Sequence, residues 1–145
     1  MQSTTTHTEE ETIELGIEFA RSLRHGDVVA LYGDLGSGKT RFVQGVCKGL
    51  GAHEHIASPT FTIVNEYVAG DLSIYHVDLY RVKSLREIQD VGFEEYVNGD
   101  GICLIEWAEK AQALLPLRRF DVHLMLGESA HAREIIIEQL VEASA

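Results

Sequence analysis

One eight-residue segment restricts the possible folds more than any other part of this chain. Residues 33–40 read Gly-Asp-Leu-Gly-Ser-Gly-Lys-Thr, the phosphate-binding loop pattern of two glycines separated by four residues, then Lys and Thr. Glycine lets backbone N–H groups turn inward and approach phosphate oxygens closely. Lys39 supplies a positive charge for the β- and γ-phosphates, and the Thr40 hydroxyl is suited to Mg²⁺. The alternative for such a segment is a glycine-rich turn without a ligand.

The sequence on both sides of the loop supports nucleotide binding. Residues 28–32 are an apolar run of strand length, and residues 41–50 can form a helix closed by Gly49 and Gly51. A helix that starts at the loop directs its N-terminal dipole toward a bound anion. The predicted nucleotide-binding residues are Gly33, Asp34, Leu35, Gly36, Ser37, Gly38, Lys39 and Thr40, and no role is assigned to the next residue, Arg41.

Strand and helix patterns alternate along the rest of the chain. Thr8 and Glu11 resemble a capping box and predict a helix that runs to about Arg24. Further strands are predicted at 61–68, 73–80, 102–105, 120–126 and 133–140, and helical segments at 84–90, 92–98 and 108–115. The strands at 61–68 and 73–80 are expected to form an antiparallel hairpin. We therefore predict one α/β domain over residues 1–145, a P-loop NTPase-like three-layer fold with a mixed sheet and an inserted β-hairpin, in which residues 1–7 are a flexible tail.

The composition limits the classes of partner. The chain carries a net charge of −11, whereas a protein that binds nucleic acid unaided needs a basic surface to displace counterions. If RNA is involved, a partner would supply the positive surface; acidity that only aids solubility is equally compatible. The first residues lack the pattern of a signal peptide, and no apolar run approaches transmembrane length. Cys47 and Cys103 lie in apolar segments and are expected to be free thiols of a cytoplasmic protein.

A second element suited to metal binding follows the apolar run at 102–105. Glu106 stands directly after this run, which is the form of a Walker B element. Because ligands of open α/β sheets lie outside the carboxyl ends of the strands, Glu106 is expected close to Thr40. Its carboxylate is then a candidate Mg²⁺ ligand, directly or through water. The alternative is a glutamate that faces solvent at a strand end.

Polar side chains alternate along residues 76–81. His76, Asp78 and Tyr80 are predicted on one face of a strand, and Arg81 ends the segment. Asp78 is a candidate for a second carboxylate near Mg²⁺ or for positioning an attacking water. His76 is equally compatible with a role in the site and with packing, and Arg81 could contact phosphate or pair with an acid.

Three hydroxyl side chains and one indole complete the set of candidates. Ser58, Thr60 and Thr62 follow the loop helix, where phosphate-loop proteins carry a switch that reads the γ-phosphate. A Ser-Pro-Thr turn is the plainer reading of the same residues. Trp107 follows Glu106 and either stacks near a ligand or fills the core.

Taken together, these residues resemble the bacterial threonylcarbamoyladenosine biosynthesis ATPase family TsaE, also named YjeE. The resemblance spans residues 12 to about 107 and rests on an ordered set of motifs that is far more specific than the loop alone. The set comprises Thr12, Gly16, the loop at 33–40, Ser58-Pro59-Thr60-Phe61-Thr62, Tyr67, His76-x-Asp78-Leu79-Tyr80-Arg81 and Ile105-Glu106-Trp107. Two departures are minor: Ser37 stands where the family often has Ala, and Ala108 where Pro is frequent.

The resemblance implies an ATPase that supports formation of N6-threonylcarbamoyladenosine beside the tRNA anticodon. Family members bind a TsaB–TsaD heterodimer, and ATP hydrolysis is thought to reset that assembly between turnovers. The implied cofactors are ATP and Mg²⁺, with Thr40 and Glu106 as metal ligands. Lys39, Asp78 and Glu106 are the implied catalytic residues, and Thr12 lies near the base. The chain is expected to be slow alone, monomeric or weakly oligomeric, cytoplasmic and without membrane contact.

Three other functions use a loop of this kind. The main alternative is a small nucleoside or metabolite kinase, which needs an acceptor pocket and an arginine-bearing lid; only Arg118, Arg119 and scattered arginines could supply one. A GTPase is disfavoured because neither Asn-Lys-x-Asp nor Asp-x-x-Gly occurs in the sequence. A nucleotide-sensing module with negligible turnover would differ from an ATPase only in its rate.

Overall fold

Apolar residues that recur with the spacing of strands and of helices produce a mixed α/β structure around one sheet. The computed structural model describes residues 1–59 and 63–141. The strands are β1 (Gln2–Thr6), β2 (Val28–Tyr32), β3 (Val64–Ala69), β4 (Leu72–Asp78), β5 (Ile102–Glu106), β6 (Arg119–Leu126) and β7 (Arg133–Leu140). The helices are α1 (Glu9–Ala20), α2 (Lys39–Leu50), α3 (Leu85–Asp90) and α4 (Phe93–Val97), with a 3-10 helix at Ala108–Leu114.

The seven strands of the described residues form a single sheet in the order β1-β7-β6-β2-β5-β4-β3. The four central strands β6, β2, β5 and β4 are parallel, and the pairs β1–β7, β6–β7 and β3–β4 are antiparallel. The predicted mixed sheet is confirmed, and the predicted hairpin is present as β3–β4. Because the parallel strands point the same way, the ends of β2, β4 and β5 meet at one edge.

Side-chain alternation gives the sheet two buried faces. On β2, Val29 and Leu31 pack toward α1 and α2, and Val28 and Ala30 pack toward α3, α4 and the 3-10 helix. Strands covered on both faces need apolar side chains at consecutive positions, which explains the uninterrupted runs at β2 and β5. Among the described residues, no helix combines the length and apolar character needed to cross a membrane.

Three glycines bring α1 and α2 close together. A Cβ atom at Gly16 would lie 2.4 Å from the carbonyl oxygen of Phe42, and one at Gly45 would lie 2.0 Å from that of Ile13. Gly49, which we expected to close α2, lies inside the helix against Ile17, and only Gly51 ends it, in the left-handed conformation. The close helix pair fixes the position of α2, whose first turn is part of the site.

The prediction that residues 1–7 form a flexible tail is wrong for residues 2–6. Gln2–Thr6 is an edge strand that pairs in full register with β7. A polar Ser-Thr run has no apolar signal, but β-branched threonines favour strands where a partner is available. Thr6 is buried, and its hydroxyl lies 2.8 Å from that of Thr12. The partner strand is about 130 residues away in sequence, which is why the local pattern failed.

Two helix boundaries also differ from prediction. Thr8 does cap α1 by accepting a hydrogen bond from the Glu11 backbone N–H, but the helix ends at Ala20 and continues only as turns. The segment at 108–114 is a 3-10 helix interrupted at Ala111. It begins at Trp107, whose φ of 59° is the only positive value at a non-glycine residue in the described chain.

Candidate functional site

The phosphate loop lies between the end of β2 and the start of α2. Gly33 has a φ of 154°, and a Cβ atom there would lie 2.5 Å from the Ser37 hydroxyl and 2.6 Å from the Leu124 carbonyl oxygen. Gly38, with a φ of 99°, directly precedes the first residue of α2. These glycines let the main chain fold into a tight concave loop at a helix N-terminus, where N–H groups and the helix dipole favour an anion.

Lys39 is held inside the loop. Its side-chain ammonium donates hydrogen bonds to the backbone carbonyls of Gly33 and Asp34, and lies 3.8 Å from the centre of the Trp107 ring. Burial lowers the pKa of Lys39, and nearby carboxylates, first among them Glu106, oppose that shift. The lysine is therefore a desolvated charge whose present partners are neutral oxygens and an aromatic ring, which phosphate oxygens could replace.

Glu106 lies at the end of β5, buried to 2% exposure. The Thr40 hydroxyl is 3.3 and 3.4 Å from its two carboxylate oxygens, as the sequence predicted for a Walker B acid. The Ser58 hydroxyl lies 2.8 Å from that of Thr40 and 3.4 Å from Glu106 Oε2. His76 Nε2 lies 2.5 Å from the same carboxylate oxygen. Three elements, α2, β4 and β5, and the connection after α2 thus contribute one polar side chain each to a single cluster.

Asp78 ends β4 directly beside Glu106 in the sheet register. One of its carboxylate oxygens accepts a hydrogen bond from the Tyr80 backbone N–H at 2.9 Å, and the side chain lines the cavity. Burial is the main cause that raises the pKa of Asp78, and the charge of Glu106 adds to it. The predicted alternation holds for His76 and Asp78, since Val77 and Leu79 belong to the opposite core, but β4 ends at Asp78, so Tyr80 lies in the turn after the strand and not on its face.

The hydroxyl segment after α2 is described only in part. Ser58 reaches the Thr40–Glu106 cluster, whereas Thr60 and Thr62 lie outside the described residues. Tyr67 of β3 anchors the backbone before Ser58: its hydroxyl donates to the Ala57 carbonyl at 2.9 Å. The segment is thereby tied both to the sheet and to Thr40.

A cavity of about 850 Å³ joins these groups, and a nucleotide-sized ligand requires a volume of that order. Its walls include the loop from Leu35 to Thr40, the acids Asp78 and Glu106, and Trp107. Thr12 lines the same cavity and is 2% exposed. Arg41 is also at the rim, where its guanidinium lies 3.4 Å from Glu9. Most of the described sequence-predicted residues thus line one cavity, whereas Gly33, Asp34 and His76 do not line it.

Arg133 also lines the cavity and was not predicted from the sequence. Its guanidinium donates to the Gly36 carbonyl at 2.8 Å and to the carbonyls of Ala130 and Ala132. This contact attaches the loop to the start of β7, a strand 97 residues further along the chain. No local motif marks such a residue, because its position follows only from the pairing of β6 and β7.

The donor set suits Mg²⁺. Thr40 and Glu106 offer hydroxyl and carboxylate oxygens, which this cation prefers, and no group of three or more His, Cys, Asp or Glu residues suited to a metal is found in the described chain. Mg²⁺ usually binds through one or two protein groups together with substrate phosphates and water rather than in a cage of protein ligands. The residues present therefore fit a magnesium–nucleotide complex.

A family model and individual known proteins both match this chain. The model of the family described as threonylcarbamoyl adenosine biosynthesis protein TsaE matches residues 6–135. Proteins named tRNA threonylcarbamoyladenosine biosynthesis protein TsaE are similar to this chain: that of Bacillus subtilis is 44% identical over 113 residues, 78% of this chain and 70% of the relative. That of Treponema pallidum is 46% identical over 107 residues, 74% of this chain and 78% of the relative.

A solved structure agrees with the sequence matches. The crystal structure of Bacillus subtilis YdiB superimposes with a TM-score of 0.78 at 36% sequence identity, covering 97% of this chain and 86% of YdiB. The shared architecture therefore extends over nearly the whole chain.

Proposed function

This chain belongs to the TsaE family of tRNA threonylcarbamoyladenosine biosynthesis proteins, and from that premise we propose that it binds ATP with Mg²⁺ and hydrolyses it to ADP and phosphate on a P-loop NTPase-like three-layer fold. The observation that carries the proposal is the meeting of Thr40 with both carboxylate oxygens of Glu106, at 3.3 and 3.4 Å, beside the phosphate loop. That contact would join the two halves of a magnesium–nucleotide site.

The loop and α2 would bind the phosphates. Backbone N–H groups of residues 33–40 and the N-terminus of α2 would surround the phosphate oxygens, since the glycines leave the main chain uncovered. Lys39 would exchange the Gly33 and Asp34 carbonyls for phosphate oxygens. A desolvated ammonium gains most from such an exchange, because its present partners carry only partial charges.

Thr40 and Glu106 would hold the metal, and Asp78 would act on water. When bound, Mg²⁺ supplies positive charge that offsets the charge on the phosphoryl oxygens. Asp78 lies beside Glu106 at the strand ends, where a carboxylate can accept a hydrogen bond from an attacking water and orient it. Its raised pKa makes it a better proton acceptor than an exposed aspartate.

The biological setting is proposed from family membership. The chain would act with a TsaB–TsaD-like heterodimer in the cytoplasm, hydrolyse ATP slowly alone, and faster within that assembly. Its net charge of −11 favours a role in which tRNA contacts the partners rather than this chain.

Reconstitution tests this proposal directly. ATP turnover is measured with and without the heterodimer, and complex formation under a non-hydrolysable ATP analogue, under ADP and without nucleotide. Stimulation by the heterodimer together with nucleotide-dependent assembly supports the proposal. Turnover that stays at its basal value, with assembly that ignores nucleotide, contradicts it and favours the kinase alternative, which a panel of small acceptors then tests.

Lys39→Ala is the variant that is expected to lose affinity for the nucleotide. Loss of a charge-assisted contact is expected to cost about 2–4 kcal/mol of nucleotide affinity, roughly 30- to 1000-fold. Lys48→Ala is the control, because Lys48 is exposed on the same helix and does not line the cavity. Calorimetric titration with the ATP analogue compares the two, and equal affinities would mean that the loop is not the site.

A further inference from the structure

His76 is the most deeply buried polar side chain of the cluster around Glu106. It is 0% exposed, and its Nε2 lies 2.5 Å from Glu106 Oε2. An ionised carboxylate can only accept hydrogen bonds, so the imidazole Nε2–H donates to it. The interaction joins a side chain in the middle of β4 to one at the end of β5. Such a contact holds the carboxylate at a fixed rotation.

The surroundings of His76 keep the imidazole in place. The neighbouring Leu104 of β5 lies opposite His76 in the register, and the Tyr67 ring lies 6.3 Å away, centre to centre. Tyr67 is fixed in turn by its hydrogen bond to the Ala57 carbonyl. His76 therefore has little rotational freedom, and its orientation is set before any ligand binds.

The two oxygens of Glu106 have different environments. Oε2 lies 2.5 Å from His76 Nε2 and 3.4 Å from the hydroxyls of Thr40 and Ser58, whereas Oε1 accepts from the Thr40 hydroxyl at 3.3 Å. With Oε2 held by the imidazole, Oε1 is directed to the point where Thr40 and the loop meet. A ligating carboxylate that is itself hydrogen-bonded binds a metal in one geometry, and loss of such a partner typically costs 10- to 100-fold in metal affinity.

We propose that His76 is a positioning residue that orients Glu106 for Mg²⁺ and that sets the magnesium-dependent part of nucleotide affinity. The inference rests on the proposed function, because it assigns His76 to the same metal. It extends that function by one residue, which acts through Glu106 and touches neither metal nor nucleotide.

Two substitutions of similar polarity separate positioning from packing. His76→Gln can place an amide N–H where Nε2 lies, whereas the shorter side chain of His76→Asn ends near the position of Nδ1 and cannot reach Glu106. Val77→Ala is the stability control: Val77 is fully buried next to His76 in the chain but faces the opposite core. His76→Leu removes the donor altogether.

The measurement is calorimetric binding of a non-hydrolysable ATP analogue with and without Mg²⁺. We expect the affinity gained from Mg²⁺ to fall 10- to 100-fold in His76→Asn and His76→Leu, and to stay within about threefold of the wild type in His76→Gln. Affinity without Mg²⁺ should be the same in all of them. In a Glu106→Gln background, His76→Asn should add little, because both changes act on one interaction.

The proposal is overturned by an unchanged Mg²⁺ gain in His76→Asn, by an equal loss with and without Mg²⁺, or by a full additional loss in the Glu106→Gln background. If Val77→Ala loses the Mg²⁺ gain as His76→Asn does, the effect is structural and the proposal also fails. A wild-type protein whose affinity for the analogue is independent of Mg²⁺ contradicts the proposed function itself, which distinguishes that failure from a failure of the role of His76.

Discussion

The two sides of the cavity are built by different means. The loop wall, residues 33–40, presents main chain, and Lys39 is its one cationic side chain. The strand wall, formed by Asp78 and Glu106 with the buried His76 in contact with Glu106, presents side chains at the ends of parallel strands. The shape of the loop wall depends on its glycines and on the close packing of α1 with α2. The position of the side chains in the strand wall depends on the register of β4 with β5.

This difference predicts different responses to substitution. A change in the loop wall or behind it should act through the shape of the main chain, and thereby through stability and phosphate affinity. A change to Asp78 or Glu106 should alter metal binding or turnover more than it alters the fold, because these polar side chains line the cavity and contact other polar groups.

Asp78→Asn should give the largest effect and tests the strand wall. We expect ATP turnover to fall by about 100- to 10,000-fold, the range typical of a general base or water-positioning group. Affinity for the ATP analogue should remain within about threefold, since an amide keeps the shape of the side chain. Single-turnover hydrolysis and calorimetry separate the two, and an equal loss in both would place Asp78 among the groups that bind nucleotide.

The pKa of Asp78 gives the same variant a second signature. Burial raises the folded-state pKa above its unfolded value, so the protonated form favours folding and that contribution is lost as pH rises through the folded pKa. At neutral pH the charged Asp78 therefore costs stability. The thermal midpoint of Asp78→Asn at pH 7 should equal or exceed that of the wild type, and the difference should shrink at acidic pH. A clearly lower midpoint at pH 7 would mean that Asp78 is a structural residue.

The loop wall could be predicted from sequence because its information is local. Eight consecutive residues specify the turn, the charge and the helix start, and the structure has α2 begin at Lys39, two residues before the predicted 41. The strand wall could be predicted in part. An acid after an apolar run placed Glu106 near Thr40, and alternation placed His76 and Asp78 on one face.

The remaining features depend on pairing between distant segments. The contact of His76 with Glu106 requires the register of β4 with β5, and alternation alone left His76 equally compatible with packing. Arg133 reaches Gly36 only because β7 lies beside β6, and β1 forms only because β7 offers it an edge. Local sequence patterns do not indicate which distant segments pair. The prediction of a flexible tail was therefore wrong for residues 2–6.

Gly45→Ala should give an intermediate effect and tests what supports the loop wall. In an exposed helix this substitution would stabilise by about 1 kcal/mol. Here the added Cβ atom would lie 2.0 Å from the Ile13 carbonyl oxygen, so α1 and α2 must separate. Overpacking typically costs about 1–3 kcal/mol, and we expect a net decrease in the free energy of unfolding.

Urea unfolding of Gly45→Ala measures that cost, and Lys48→Ala on the exposed side of α2 is the control, expected within about 0.5 kcal/mol of the wild type. Affinity for the ATP analogue should fall with the stability, because α2 carries Thr40. A variant as stable as the wild type would show that the helix pair can adjust, and the close packing would then not fix the loop wall.

Ser37→Ala should give the smallest effect, although Ser37 lies in the middle of the loop. The side chain is 1% exposed, and its hydroxyl has no hydrogen-bond partner among the described residues. Removal of the hydroxyl therefore breaks no hydrogen bond. It removes a buried polar group that has no partner, and it causes a small loss of packing against Gly33. We expect a change in the free energy of unfolding of no more than about 0.5 kcal/mol.

Because the loop wall is expected to bind phosphate through main-chain N–H groups, affinity for the ATP analogue should stay within about threefold. Calorimetry on Ser37→Ala beside Lys39→Ala decides the point: a tenfold loss from the serine change would mean that a loop side chain other than Lys39 binds the phosphates, and the contrast between a main-chain wall and a side-chain wall would not hold.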